Sequence, residues 1–477
     1  MSFFGELWNG VWSFLVWAAP VLAPLLKVVF VLVLLLTFAP VLTWAERRQS
    51  AMMQDRVGPY RAGIPMPQVV LDLVPAAAMG AFGVAVLCGA SSLFFMLGAL
   101  ITGDGADFLR ESSGISAWWL VVISGGVAAL HVGMGRILPD LFFEKRLTAF
   151  GLIHPLADAM KMIWKEDFVP PKADKLLFAV APIIAVIPAF ATFAVIPFGP
   201  TLYIDHLFDV IGQGGADGTA VTLQVANLNV GILYMFAIAG MGIVGAAIAG
   251  YSSDNKYALL GGIRAAGQMV SYEVTLGLSL VGCFMVYDSL LLGDAVTWQQ
   301  HHVWGIVVQP LAYVLFQTAS IAEYKRVPFD APEGESEIVA GYFLEYSGMK
   351  WGMWMMGEFI EVVVSSAVIA TLFFGGFDTP FVFEDGLHFW LVEDLLALVG
   401  ISSNLHVDLP HVVVVLLQIG GFVVKMALLC FLSLQVRWTL PRFRYDQIMN
   451  LCWKVILPLS LLNVLLTGIG ILAFGGE

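Results

Sequence analysis

Acidic side chains crowd into one stretch of this sequence. Glu323, Asp330, Glu333, Glu335, Glu337 and Glu345 fall within 23 residues, against the two bases Lys325 and Arg326. Carboxylates so close repel one another, so some hold protons near neutral pH unless cations neutralise them. Groups that exchange protons in that range suit a proton-uptake route. Glu358 and Glu361 follow one helical turn apart, and Glu273 stands upstream beside Tyr272, after Arg264 and Gln268. An ionisable residue inside a membrane span is a proton-relay candidate. The plainer reading pairs each acid with a base, for which Arg264, Arg326 and Lys425 are available.

Two further stretches combine charge with apolar residues. Residues 46–60 read ERRQSAMMQDRVGPY and contain Glu46, Arg47, Arg48 and Arg56. Residues 151–167 read GLIHPLADAMKMIWKED. There Leu156, Met160, Ile163 and Trp164 recur at i, i+4, i+7 and i+8, with Asp158, Lys161 and Lys165 on the other side. That spacing predicts an amphipathic helix on a membrane surface. Simple anchoring roles also account for both stretches.

The elements that hold these residues must be solvated by lipid. Of 477 residues 59% are hydrophobic and 12% charged, with a mean hydropathy of +0.86. Soluble domains carry about 25% charged residues, so there is too little polar surface here for a globule in water. The net charge of −13 argues against a nucleic-acid partner. Cys88, Cys283, Cys430 and Cys452 are scattered without C-x-x-C spacing. No metal site, Fe–S cluster or nucleotide loop is expected in this chain, so electron carriers would belong to partners.

Ten apolar runs are long enough to cross a bilayer. They cover 21–44, 76–102, 117–138, 176–199, 229–250, 269–288, 304–322, 357–376, 411–434 and 455–473. The apolar segment 3–19 carries Glu6 and reads as an interfacial helix. The first base, Lys27, lies inside the first run, so that run is expected to be an uncleaved anchor. Loops 200–228, 289–303 and 377–410 contain no Lys or Arg, whereas 139–175 holds Lys145, Arg146, Lys161, Lys165, Lys172 and Lys175. The positive-inside rule makes the basic loops cytoplasmic and both termini external. The expected fold is an all-α polytopic membrane protein of about ten transmembrane helices with an amphipathic cytoplasmic surface helix.

Long stretches together carry a resemblance. They are AERRQSAMMQDRVGP, the segment from HPLADAMKMIWKEDF to VIPFGP, NVGILYMFAIAGMGIVGAAIAGYSSDNKYALLGGIRAAGQMVSYE, RVPFDAPEGESEIVAGYFLEYSGMKW and TLPRFRYDQIMNLCWKVILPL. In this order they resemble the quinone-site (H-type) membrane subunit of respiratory complex I, NADH:quinone oxidoreductase. The family core has eight spans, with the GP loop running almost directly into the PLAD helix. Residues 64–148 therefore read as an inserted two-span segment, between 1–63 and the core at 149–477. The outer loop 377–410 also looks enlarged. Tyr60 stands where the family usually has Asn, His154 where Gln is usual, and Tyr324-Lys325 where Thr-Asn is usual.

The resemblance implies the membrane half of a quinone chamber, with Glu46, Arg47, Arg56, Arg264, Arg326, Asp330, Glu333 and Glu335 as quinone-binding residues. It implies a proton path through Glu273, Glu323, Glu337, Glu345 and Asp158. Quinone would be substrate, and no metal or cofactor would be held by this chain. Fe–S clusters and FMN would sit in partner subunits, namely the peripheral quinone-site subunits, beside other membrane-arm subunits. The chain would be part of an NADH:quinone reductase, a translocase not catalytic alone, in the bacterial cytoplasmic (inner) membrane. One alternative keeps the fold but belongs to a membrane-bound hydrogenase or another dehydrogenase complex. Another is an ion-coupled secondary transporter, which would show an internal repeat and broken helices. A third is a structural anchor.

The loop charges make a topological prediction. Single cysteines in 103–116 and 377–410 should react with an impermeant reagent from outside, and those in 139–175 only from the cytoplasmic side. External labelling of 139–175 would reverse the map.

Overall fold

The computed structural model describes residues 2–56, 58, 59, 62, 64, 65, 142, 143, 146, 147, 151–206, 209, 219–334, 339–383, 386–388 and 406–474. The spans expected at 76–102 and 117–138, and also Glu335, Glu337 and Glu384, lie outside the described residues. Among the described residues seven helices are long and apolar enough to cross a membrane. A helix bonds its backbone polar groups within one segment, as a lipid environment requires. The chain is an all-α polytopic membrane protein. It divides into two units, Thr43–Met160 and Met1–Leu42 with Lys161–Glu477.

Helix α1 covers Ser2–Met53 without interruption. The interfacial helix expected at 3–19 and the span expected at 21–44 are thus one element. From Phe14 to Leu36 the sequence offers no Ser, Thr, Asp or Asn to cap a new start and no Gly to stop the old helix.

The unit Thr43–Met160 contains the end of α1 and three two-residue strands. These are β1 (Ile64–Pro65), β2 (Phe142–Phe143) and β3 (Arg146–Leu147), antiparallel in the order β1-β3-β2. Helix α2 (Ile153–Trp164) starts in this unit. Gly151 precedes it with φ +88°, and a Cβ there would run into the Pro59 carbonyl. Leu156, Met160, Ile163 and Trp164 are all exposed along α2, the apolar face a membrane surface would cover.

The larger unit continues with α3 (Lys175–Thr192), whose first turn is capped by the Asp174 carboxylate accepting from the Leu176 and Leu177 N–H groups. Next come α4 (Gly231–Ala239) and α5 (Met241–Ser252), separated at Gly240. Helix α6 spans Lys256–Tyr287 and is capped by Asn255. It starts well before the expected 269–288, because hydropathy alone does not register a helical turn that carries Lys256, Arg264 and Gln268. Helix α7 is Leu292–His301, and the span expected at 304–322 is split into α8 (Gly305–Val308) and α9 (Pro310–Glu323). Proline at 310 supplies no N–H to continue α8, but suits the first turn of α9.

Helix α10 (Gly348–Phe373) is the innermost of the spans among the described residues. Of its most apolar window 83% is buried, against at most 50% in any other span. It packs on α3, α9 and α11 (His411–Thr439). The chain closes with α12 (Tyr445–Leu451), a π turn at Cys452–Ile456 and α13 (Leu457–Phe474). Two small antiparallel sheets complete the described part: β4 (Thr201–Tyr203) with β5 (Ala220–Thr222), and β6 (Val382–Phe383), β7 (Gly386–His388) and β8 (His406–Asp408).

Lipid tails are as apolar as leucine, so burial gives helices little reason to associate; close backbone packing does more. At the α5–α6 crossing a Cβ on Gly250 would stand 2.6 Å from the Ala258 carbonyl oxygen and 3.1 Å from the Gly262 Cα. Gly250→Val should therefore separate α5 from α6, costing roughly 1–3 kcal/mol by overpacking. A lowered melting temperature in detergent checks this; an unchanged one would show that the crossing does not limit stability.

Candidate functional site: a buried carboxylate cluster

Helix α10 carries Glu358 and Glu361 on adjoining turns into the protein interior, Glu358 being 5% exposed and Glu361 half-buried. The acidic loop after α9 folds back over them. Tyr342, in the short 3-10 turn Gly341–Phe343, is fully buried. Its hydroxyl lies 3.3 Å from Glu333 Oε1 and 3.5 Å from Glu358 Oε1. The Glu333 carboxyl is also hydrogen-bonded to that of Glu358, and two acceptors can bond only through a shared proton. Burial, then the charge and hydrogen bond of Glu358, then Asp330, push Glu333 well above the usual carboxylate range, with Lys325 opposing. Gly341 makes this fold-back possible. It has φ +66°, and the Pro332 carbonyl occupies the place of a Cβ.

Two other acids approach the cluster. Glu323 ends α9 half-buried, within electrostatic reach of Glu273 and Glu361. Glu273 on α6 reaches the break between α4 and α5. Its Oε1 lies 3.1 Å from where a Cβ on Gly240 would stand, and Glu361 Oε1 is 3.8 Å from the same position on Gly242. The break thus presents the amide-rich start of α5 to carboxylates, the end of a helix that favours negative charge. Beside it lies a cavity of about 80 Å³ with Thr192, Ser320, Glu323, Glu361 and Ser365 in an otherwise apolar wall. Ser320 Oγ, Glu323 Oε2 and Glu361 Oε2 have no hydrogen-bond partner among the described residues. The polar side chains in this wall are the partners that water in the cavity would need.

The bases are placed differently from the simplest expectation. Lys425 does not neutralise these acids. Its ammonium donates to the carbonyls of Phe374 (2.7 Å), Gly376 (3.1 Å) and Asp378, at the end of α10. A cation there satisfies carbonyls the helix leaves open. Lys325 takes the role instead, 4% exposed with Nζ 3.9 Å from Glu361 Oε2. Arg326 lies over the Phe359 ring at 3.8 Å, and Arg264 over the Tyr445 ring at 5.8 Å. Asp330 pairs with Arg442 at 2.6 Å, and Gln268 holds the loop by donating to the carbonyls of Ala322 (2.8 Å) and Phe329 (2.7 Å).

Glu345, one of the acids expected on the proton path, accepts from Asn255 Nδ2 at 2.7 Å. The chain after α2 is pinned to the start of α10. Ser347 Oγ donates to the Glu166 carbonyl, the Phe168 N–H donates to Ser347 Oγ, and Lys350 pairs with Asp167 at 2.8 Å. Sequence reasoning missed Tyr342, Arg442 and Gly240. The first two have visible signals, an aromatic hydroxyl within the acidic stretch and one of the two arginines in PRFR, but only the fold brings them there.

In the other unit Arg47 pairs with Asp158 at 2.6 Å. Arg56 bonds Gln54 Oε1 (2.7 Å) and Ser50 Oγ (3.2 Å), and remains exposed. Glu46 is half-buried near the end of α1. His154 Nε2 accepts the Ala62 N–H at 3.0 Å. Burial, then Arg47, lower its pKa against the pull of Asp158, favouring the neutral ring this bond needs. No three His, Cys, Asp or Glu side chains converge as a metal site among the described residues.

A polytopic helical membrane protein with a coupled carboxylate cluster under an acidic loop defines the class. Comparison with known proteins gives the family. The NADH dehydrogenase family model matches residues 26–97 and 142–468. The chain is 40% identical over 341 residues to an H-type subunit of NADH-quinone oxidoreductase from Cytophaga hutchinsonii, covering 72% of this chain and 90% of the relative. It is 42% identical over 372 residues to an H-type subunit from Geobacter sulfurreducens (77% and 98% covered). It is 40% identical over 376 residues to the H-type subunit from Thermomicrobium roseum (74% and 97% covered). The chain belongs to the NADH dehydrogenase family.

The Asp330–Arg442 pair yields a pH prediction. Burial is the main cause that pushes Asp330 up, to about 6, and Arg442 opposes it. Removing the guanidinium should raise it further, so Asp330 ionises only at higher pH. Arg442→Gln should move the infrared carboxyl titration assigned to Asp330, by its loss in Asp330→Asn, upward by roughly 1–3 pH units. An unmoved titration would mean that the ion pair does not govern Asp330.

Proposed function

We propose that this chain is the H-type membrane subunit of a proton-translocating NADH-quinone oxidoreductase, lining the quinone chamber and passing the proton demand of quinone reduction into the membrane. The observation that carries the proposal is the continuous group Asp330, Glu333, Tyr342, Glu358, Glu361, Glu323 and Glu273, running from a loop into three packed helices. Relatives named for that oxidoreductase at 40–42% identity support it.

Reduction of a quinone to a quinol takes two electrons and two protons. The electrons come from NADH through FMN and Fe–S clusters held by peripheral partner subunits. This chain supplies shape and protons. Arg264, Arg326, Asp330, Glu333 and Glu335, with Glu46, Arg47 and Arg56, form the quinone-facing set. The proton path uses Glu273, Glu323 and Glu337, joined by Glu358 and Glu361, with Glu345 and Asp158 as positioning acids. Proton uptake at the loop alters the charge that Glu358 and Glu361 feel, which links the chamber to the membrane. The neighbours in the assembly are further membrane-arm subunits. The setting is a bacterial cytoplasmic membrane, with the acidic loop on the inner side and both termini outside.

Reconstituted vesicles test this. Glu273→Gln and Glu337→Gln should leave the complex assembled but lower coupled quinone reduction at least tenfold, a loss of about 1.4 kcal/mol or more in transition-state terms. Glu384→Gln, in the outer loop, should behave as wild type. Wild-type coupled turnover in both inner-side variants would reject the proton path.

A further inference from the structure

Lys325 sits where backbone and environment both disfavour it. Its φ is +57°, a left-handed conformation that asparagine tolerates far better than lysine. Its side chain is nonetheless buried among carboxylates, with Nζ 3.9 Å from Glu361 Oε2 and 5.9 Å from the centre of the Tyr342 ring. Glu323 faces it from the end of α9, Glu333 from the acidic loop, Tyr342 from the 3-10 turn, and Glu358 and Glu361 from α10. Arg326 is its chain neighbour and is drawn over Phe359. Burial alone would strip the proton from an amine, but Glu361, Glu358, Glu333 and Glu323 outweigh it. The net shift is upward, so the group is an ammonium at neutral pH.

The geometry of the pair is also informative. At 3.9 Å the contact with Glu361 is longer than a hydrogen bond. Charge, rather than a directed bond, holds the two together. Lysine is a point charge on a flexible stem, able to follow negative charge over short distances. Glu361 Oε2 and Glu323 Oε2 have no hydrogen-bond partner among the described residues, and of the two cations that favour a charge on Glu361 the Lys325 ammonium acts more strongly than the Arg326 guanidinium.

We infer that Lys325 is a positioning residue of the proton path, a resident cation that keeps Glu361 ionised and leaves Glu323 and Glu333 to exchange protons. This rests on the proton-path reading proposed above. It divides the cluster into one fixed charge and a set of exchanging groups. Without the ammonium, the half-buried Glu361 would keep only the weaker attraction of Arg326 and would take up a proton instead. The cluster would then hold one proton more at neutral pH, and coupling would require a higher pH to empty it.

The test uses the whole complex, purified with Lys325→Met, Lys325→Gln or Lys325→Arg. Infrared spectra at pH 7 count protonated carboxyls. Lys325→Met and Lys325→Gln should each gain one such band relative to wild type, and Lys325→Met combined with Glu361→Gln should lose it again. The acid limb of coupled turnover should move to higher pH by about 1–3 units in the neutral variants. Lys325→Arg should keep both the wild-type spectrum and the wild-type profile. Spectra and profiles of Lys325→Met or Lys325→Gln that superimpose on wild type would overturn the inference, as would an extra band that survives Glu361→Gln. If the neutral variants fail to assemble while Lys325→Arg assembles with an extra carboxyl band, the inference also falls. Failure of the underlying proton path reads differently: Glu361→Gln and Glu323→Gln would then turn over like wild type whatever the infrared count.

Discussion

A carboxylate taken out of water must be protonated, paired or wetted, because an unpaired charge in an apolar interior costs several kcal/mol even after relaxation. The interior around α10 is organised by that constraint. Glu333 and Glu358 share hydrogen bonds with each other and with Tyr342. Glu361 faces Lys325, and Asp330 takes Arg442. Glu273 approaches a break in the helical backbone, and Glu323 and Glu361 border a cavity able to hold water. Each acid has a different solution. Such a series can pass a proton or a charge displacement along itself. A row of identical salt bridges could not, since every member would stay ionised.

The same constraint accounts for the irregular backbone. The absence of a side chain at Gly240 lets the Glu273 carboxylate come close to the backbone between α4 and α5. The interruption at Gln309 is met in another way. Gln309 bonds Thr467 at 2.9 Å and accepts from Asn463 Nδ2 at 3.2 Å, which ties the start of α9 to α13. At the far end of α10, Lys425 gathers the carbonyls of Phe374, Gly376 and Asp378. The acid-bearing helix is therefore held at its C-terminal end by a cation on α11. At its start it is held by the contacts of Ser347 and Lys350 with the chain that follows α2. Between these anchors it is enclosed by neighbouring helices. A change of charge at Glu358 or Glu361 acts on an element with few ways to relax except through its neighbours.

Much of this was legible in the chain because membrane proteins are written in strong terms. Hydrophobic runs of about twenty residues, an amphipathic period at 153–164 and a crowd of acids at 323–345 each have few physical interpretations. The all-helical fold, the surface helix and the region of the site follow from them, and the long motifs pointed to the family. Boundaries were less legible where polar residues lie on helical turns. Hydropathy omits the first turns of α6, although Asn255 is a plain cap signal, and it sees 304–322 as one run because a broken helix is as apolar as a whole one.

The sequence by itself determined which chemistry is available: lipid as solvent, and carboxylates in excess over bases. Only the tertiary structure decided who meets whom. Lys425 and Lys325 are equally good counter-charges on paper, yet one binds the end of a helix and the other enters the acid cluster. Glu345 is near Glu333 in the chain but is held by Asn255, whereas Tyr342 reaches both Glu333 and Glu358. These choices depend on a glycine at 341 that lets the loop turn under Pro332, and on a break at Gly240 that admits Glu273. Pairings across such distances follow from helix crossings and loop paths, and electrostatic energy falls steeply with the distances those crossings set.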